Sequence, residues 1–172
     1  MAKPDYRKVK EVAKRVLEEN FVTAPPVRID DIATRYGLKV MYGTLPPDLG
    51  NVAGYIMVSG PDAVVLVDSE EKPTRQNFTI AHELGHYLLH KEKLIDQPSI
   101  GVLERRPLGV LNNDPIEIEA NRFASEVLVP DYLLKQYNGE SVDTLARIFA
   151  VSTDVIGYRL TDLKNERRYS IW

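Results

Sequence analysis

An α+β fold, a small mainly antiparallel or mixed sheet packed with helices, is predicted by three features of the chain. An amphipathic helix stands near the start, apolar strand-like runs cluster between residues 38 and 69, and helical apolar spacing dominates from about residue 74 onward.

Taken in order, Val9, Val12, Ala13, Val16 and Leu17 recur at helical spacing among charged residues from Asp5 to about Glu19, and Pro25-Pro26 closes that unit. IDDIATRYG fits a short second helix, with Asp30 or Asp31 near its start and Gly37 as its stop. LKVMYG, NVAGYIMVSG and DAVVLVDS read as strands, the last two joined by the turn residues Gly60-Pro61-Asp62. Their mixed apolar runs suit a sheet covered on one face by helices. Residues 74–90 return to helix, with Thr74 or Asn77 organising its start.

Residues 91–115 hold Pro98, Gly101, Pro107, Gly109 and Pro115, the mark of an irregular connection with room for one short strand and a candidate rim or lid. Pro115 then opens a helix whose apolar face is Ile116, Ala120, Phe123, Ala124, Val127 and Leu128 before Pro130 stops it. Two further helical stretches follow, in DYLLKQYN and SVDTLARIFAVSTDVIGYRLTDLKNE.

Composition narrows the function. The 172 residues are 44% hydrophobic and 27% charged, ordinary for one globular unit, and 22 Lys+Arg against 25 Asp+Glu leave a formal charge of −3. No basic excess advertises a nucleic-acid surface. The absence of cysteine excludes disulfides, thiolate metal sites and cysteine nucleophiles. No signal-like apolar segment and no bilayer-length stretch is present, so the expected location is cytoplasmic, without membrane attachment.

All three histidines fall within the nine residues HELGHYLLH, 82–90. Positions four apart lie on one side of a helix, so His82 and His86 can direct their imidazoles at one ion, and Glu83 brings a carboxylate beside the same point. Neutral imidazole suits zinc, and a neighbouring carboxylate can take a proton from an attacking water. His90 is rotated about 80° from His82, which makes three ligands from one straight helix awkward and suits a cap, a surface residue or a substrate contact better.

A catalytic zinc needs a third protein donor, and the best sources are Glu117 and Glu119. Glu117 shares a helix side with Ala120, Asn121 and Ala124, whose small alanines let this helix approach the first closely; Glu119 points about 200° away. Glu117 is therefore the candidate ligand and Asn121 the residue that orients a ligand histidine. Spacing alone leaves Glu119 open.

AHELGH followed by EIEANRFASEVLVP resembles the ImmA/IrrE-type zinc metallopeptidases, whose pattern joins HExxH to a later ExxAN segment and an FAxxLLxP ending. Val127-Leu128-Val129-Pro130 departs mildly from that ending. The resemblance implies a gluzincin-like arrangement with zinc on His82, His86 and Glu117, Glu83 as the catalytic residue and Asn121 as helper. It also implies a zincin-like core over residues 1–130, a helical extension over 131–172 packed on it, and action on a partner repressor in phage, mobile-element or stress regulation. A helix-turn-helix repressor encoded nearby is the expected partner, cleaved at a specific site. Some such proteins carry a separate N-terminal helix-turn-helix domain, for which no room is expected here.

Tyr132, Tyr137, Tyr158 and Arg159 are candidate donors to the charge that develops on the scissile carbonyl. An extended substrate segment has a candidate docking edge in Asn51–Val58 or Ala63–Asp68. Two rival functions remain: a zinc-containing anti-repressor or antitoxin-like binder without turnover, and a DNA-binding regulator using SVDTLARIFAVSTDVIGYRL. The second helix of that segment carries little positive charge at its start, so direct nucleic-acid binding is not expected.

Overall fold

A computed structural model of the chain describes residues 3–45, 52–59, 62–96, 102–104 and 114–169, and of residues 95–96, 102–104 and 166–169 it describes the backbone only. Two helices lead: α1 (Tyr6–Glu19), capped by the Asp5 carboxylate on the Lys8 N–H, and α2 (Ile29–Arg35), which ends at Gly37 with φ +85°. That left-handed turn is where a residue without Cβ belongs. The apolar stripe of α1, from Val9 to Leu17, is buried as its spacing predicts.

Four strands follow the order β1-β3-β2-β4: β1 (Leu38–Gly43), β2 (Val52–Ser59), β3 (Asp62–Asp68) and β4 (Val102–Glu104). β1 runs parallel to β3, and β2 runs antiparallel to both β3 and β4, so the sheet is mixed. Its inner face presents Leu38, Gly54, Ile56, Ala63, Val65 and Val67, all buried, and the alternate positions Lys39, Met41 and Met57 are exposed. The connection read as irregular over 91–115 does contain its short strand, β4, but residues 91–96 are helical instead and Asp114 caps the helix that Pro115 opens; residues 97–101 and 105–113 and the turn residues Gly60 and Pro61 lie outside the described residues.

The docking edge proposed on Ala63–Asp68 does not exist, because β3 has β1 on one side and β2 on the other. Along β2, β4 covers only Val52–Tyr55, with a register shift between Val52 and Gly54. Strand order was not readable from the apolar runs, since a strand with one neighbour and a strand with two carry the same alternation.

Helix α3 (Pro73–Asp96) crosses the inner sheet face, and α4 (Pro115–Leu128) packs along it. Asn77 does not organise the start of α3. Its amide donates to the carbonyl of Ala150, in the left-handed corner (φ +52°) between α6 (Val142–Phe149) and α7 (Thr153–Tyr169), and so ties that corner to α3. A short α5 (Asp131–Leu134) with a 3-10 turn, Lys135–Tyr137, links α4 to α6.

α4 is more deeply enclosed than its apolar face requires, for Glu119, Arg122, Ser125 and Glu126 are buried as well. Two arginines make that tolerable. Arg122 donates to Glu126 at 2.6 Å and to Asp162, while Arg159 donates to the Val129 carbonyl at 3.1 Å, to Asp162 at 2.8 Å and to Asp131. The fork of Arg159 thereby binds the end of α4, the start of α5 and α7 to one another.

Contact between α3 and the sheet is close at Gly54. A Cβ there would collide with the Thr79 methyl and stand 2.7 Å from the Leu66 carbonyl, an overlap that backbone cannot relieve cheaply. Gly54→Ala is accordingly expected to lower stability by about 1–3 kcal/mol, read as a shift in the denaturation midpoint.

Candidate metal centre

The centre is built where α3 and α4 touch. At Gly85 a Cβ would lie 2.9 Å from Phe123 Cδ1 and 3.3 Å from both Cα and O of Ala120, so only glycine lets the two backbones meet here. Ala120, Phe123 and Ala124 are wholly buried on the facing side. This contact sets the spacing at which side chains from the two helices can share a point.

They share one. His82 Nε2 and His86 Nε2 stand 2.9 Å apart, His82 Nε2 is 3.4 Å from Glu117 Oε2, and His86 Nε2 is 3.1 Å from Glu117 Oε1. Among the described residues this is the group of donors that could hold a metal ion. Glu119, the alternative third donor, is turned away from the group as helix geometry requires.

On α4 the carboxamide of Asn121, one turn beyond Glu117, lies 3.0 Å from His82 Nδ1 through its Oδ1. With that oxygen accepting, the proton resides on Nδ1 and the Nε2 lone pair faces the shared point. Burial, then the neighbouring His86, lowers the His82 pKa, so the ring is neutral near pH 7. Burial pushes the Glu117 carboxyl up, but the His82 and His86 imidazoles beside it outweigh burial and hold the group at about 2, an anion at neutral pH.

The donor set fits zinc on several counts. Ligand atoms 2.0–2.1 Å from a tetrahedral ion would stand about 3.3 Å from one another, a spacing that the three observed separations bracket. Two imidazole nitrogens aimed at each other and at a carboxylate are reconciled by a shared cation. Two imidazoles and one carboxylate are also a donor set in which zinc retains an open position.

Glu83, next to His82, is fully buried, and neither carboxylate oxygen has a hydrogen-bond partner among the described residues. Burial, then the charge of Glu117, raises its pKa well above the usual carboxylate range. A buried carboxyl without a protein partner is costly unless a cation or an ordered water meets it. Such a group is equipped to accept and release a proton.

The candidate oxyanion donors are not in this centre. Tyr132 donates to the Val22 carbonyl at 2.5 Å, Tyr137 packs edge-on against Phe149, Arg159 is committed to Val129, Asp131 and Asp162, and Tyr158 lines a groove with Tyr6 and Arg122. His90 also departs from expectation: it is buried, and α3 loses helical geometry there (φ −135°, ψ 22°). Its ring lies 6.1 Å from that of His86, with Glu119 as its neighbour.

Residues 30–161 match the family model described as the IrrE N-terminal-like domain. The chain belongs to this family. Metallopeptidase ImmA of Bacillus subtilis is 30% identical over 123 residues, which cover 69% of each chain. An uncharacterized immunity region protein 2 of Bacillus phage phi105 is 24% identical over 163 residues, 93% of this chain and 94% of that one. The radiation response metalloprotease IrrE of Deinococcus radiodurans is 30% identical over 105 residues, 58% of this chain and 31% of its own.

The IrrE-like fold is also found in a solved Mycobacterium tuberculosis transcriptional regulator, with a TM-score of 0.60 at 21% identity over 92% of this chain. This chain spans about half of that one, 48% of its length. As in the sequence, no helix among the described residues is long and apolar enough to cross a membrane.

Loss of Asn121 as a support for His82 has a measurable consequence. Asn121→Ala is expected to weaken zinc about 10–100-fold in a competition titration with a chromophoric chelator, while leaving the far-ultraviolet spectrum unchanged.

Proposed function

We propose that the chain is a zinc-dependent endopeptidase that cleaves a partner transcriptional repressor at a specific site in phage, mobile-element or stress regulation. The observation that carries this reading is the meeting of His82, His86 and Glu117 at one point with the unpartnered carboxyl of Glu83 beside it. The names of the relatives support it: one is a metallopeptidase, one belongs to a phage immunity region and one to a radiation response.

In this reading His82, His86 and Glu117 hold the metal. Zinc, when bound, polarises the scissile carbonyl and makes water a nucleophile at neutral pH. Asn121 keeps His82 in the tautomer that presents Nε2. Glu83 takes a proton from the attacking water as its oxygen bonds to the carbonyl carbon, and returns that proton to the amine nitrogen as the C–N bond breaks. Enclosure of Glu83 raises its pKa above the usual carboxylate range, which makes it a stronger acceptor for the water proton.

Residues 1–130 form the peptidase core in this proposal and residues 131–172 a helical extension held on it by the Arg159 fork. The substrate is a helix-turn-helix repressor encoded nearby, in the cytoplasm, and direct contact with nucleic acid has no part in the reaction.

The purified chain, loaded with zinc, is incubated with the repressor encoded beside it and the products are weighed by mass spectrometry. Two fragments from one bond are expected. Glu83→Gln is expected to retain zinc while slowing cleavage about 10²–10⁴-fold, as loss of a general base does. Undiminished turnover by that variant removes Glu83 from its role, and zinc binding without cleavage of the authentic partner favours an anti-repressor that acts by binding alone. Glu117→Ala is expected to lose zinc beyond the about 10–100-fold that loss of a supporting residue causes; unchanged zinc content dismisses Glu117 as a ligand.

A further inference from the structure

The two helices that carry the metal donors are fastened together a second time, by groups that are not donors. Helix α3 breaks at His90, one turn past His86, so the regular carbonyl-to-amide ladder is interrupted there. Lys8, in the first turn of α1, donates its Nζ to the Leu89 carbonyl at 3.1 Å. Glu119, two residues past Glu117 and facing the other way, accepts the backbone N–H of Asp5 on Oε1 at 2.8 Å. Its Oε2 stands 3.3 Å from His90 Nε2, which has no hydrogen-bond partner among the described residues. One short segment, Asp5–Lys8, therefore grips α4 through Glu119 and α3 through Leu89, beside the ligand pair.

We propose that Glu119, acting with His90 and the first turn of α1, is a positioning residue that holds α3 and α4 in the relative placement at which His82, His86 and Glu117 share one metal ion. The inference rests on the assignment of those three residues as ligands. Gly85 and Ala120 let the two helices approach closely, and α4 packs along α3 from there. The contacts at His90, Leu89 and Glu119 add an attachment of a different kind, made by polar groups and the first turn of α1 just past the ligand pair. A buried carboxylate that accepts from a backbone N–H and faces a buried imidazole has few other places to go.

Four full-length variants, Glu119→Ala, Glu119→Gln, Lys8→Met and Glu117→Ala, test this beside the unaltered chain. Three quantities are read: zinc affinity by chelator competition, the visible spectrum of the cobalt(II)-substituted protein, and Tm of the metal-free protein. Glu119→Ala is expected to weaken zinc about tenfold and to shift the cobalt bands, within the range of residues that support ligands from outside the metal's own shell. Glu119→Gln, whose amide oxygen still accepts from Asp5, is expected to restore both, and Lys8→Met to shift both in the direction of Glu119→Ala.

A fall in Tm of the metal-free Glu119→Ala protein with unaltered zinc affinity and cobalt spectrum overturns the proposal, for the residue then serves stability alone. Loss of zinc as complete as in Glu117→Ala, without rescue by glutamine, also overturns it by making Glu119 a ligand. Should Glu119→Ala not fold, Lys8→Met decides: unchanged affinity and spectrum refute the second attachment. Undiminished zinc binding by Glu117→Ala overturns the ligand set instead, and this inference with it.

Discussion

The close crossing of α3 and α4 at Gly85 and Ala120 is the constraint on which the rest of the structure depends. A helix pair ordinarily stands 8–10 Å apart, and side chains at the crossing set where in that range it falls. With no Cβ on Gly85 and only a methyl on Ala120, the distance is short enough for an imidazole pair on one helix and a carboxylate on the other to reach a common point. The sheet below α3 enforces the same economy at Gly54, so the helix is pinned from two sides. Rigid elements on both sides are what a metal site needs if its donors are to be in place before the ion arrives.

Burial of charge is the second theme, and it is distributed unequally. On the side of α4 away from the centre, Glu126 and Asp162 are answered by Arg122 and Arg159, a network with nearly every polar group engaged. At the centre and just beyond it, Glu83 and one nitrogen each of His86 and His90 have no hydrogen-bond partner among the described residues. Saturated networks hold structure, whereas unsatisfied buried groups belong where something else is to be bound. The contrast between two faces of the same helix separates scaffold from chemistry.

Legibility in the sequence followed the range of the interaction concerned. His82, Glu83 and His86 are readable because the four-residue helical period places them by itself, and Glu117 with Asn121 because the same period ranks one face of the next helix above the other. The family pattern strengthened both. Burial of Glu119 and His90 was not readable, since an acid or a histidine on a charged helix normally meets water. The enclosure of Glu119 is met by Asp5, 114 residues away, which turns its N–H inward. Arg159 looked like a donor to substrate for the same reason: its acceptors lie in a carbonyl at the end of α4 and in a carboxylate that opens α5. Strand positions were visible and strand order was not, because β1 joins β3 in parallel across an intervening hairpin that leaves no local mark.

The attachment of α1 has a consequence in time as well as in space. Contacts that close 81 and 114 residues of chain, Lys8 to Leu89 and Asp5 to Glu119, cost loop entropy before they return any stabilisation, and a topology dominated by such closures folds slowly. The Asp5 N–H must therefore wait for α4 before it finds the Glu119 carboxylate. A nascent chain ending short of Glu117 lacks one of the three residues that meet at the candidate centre. Assembly of the candidate donor group is thereby coupled to the arrival of the later helix.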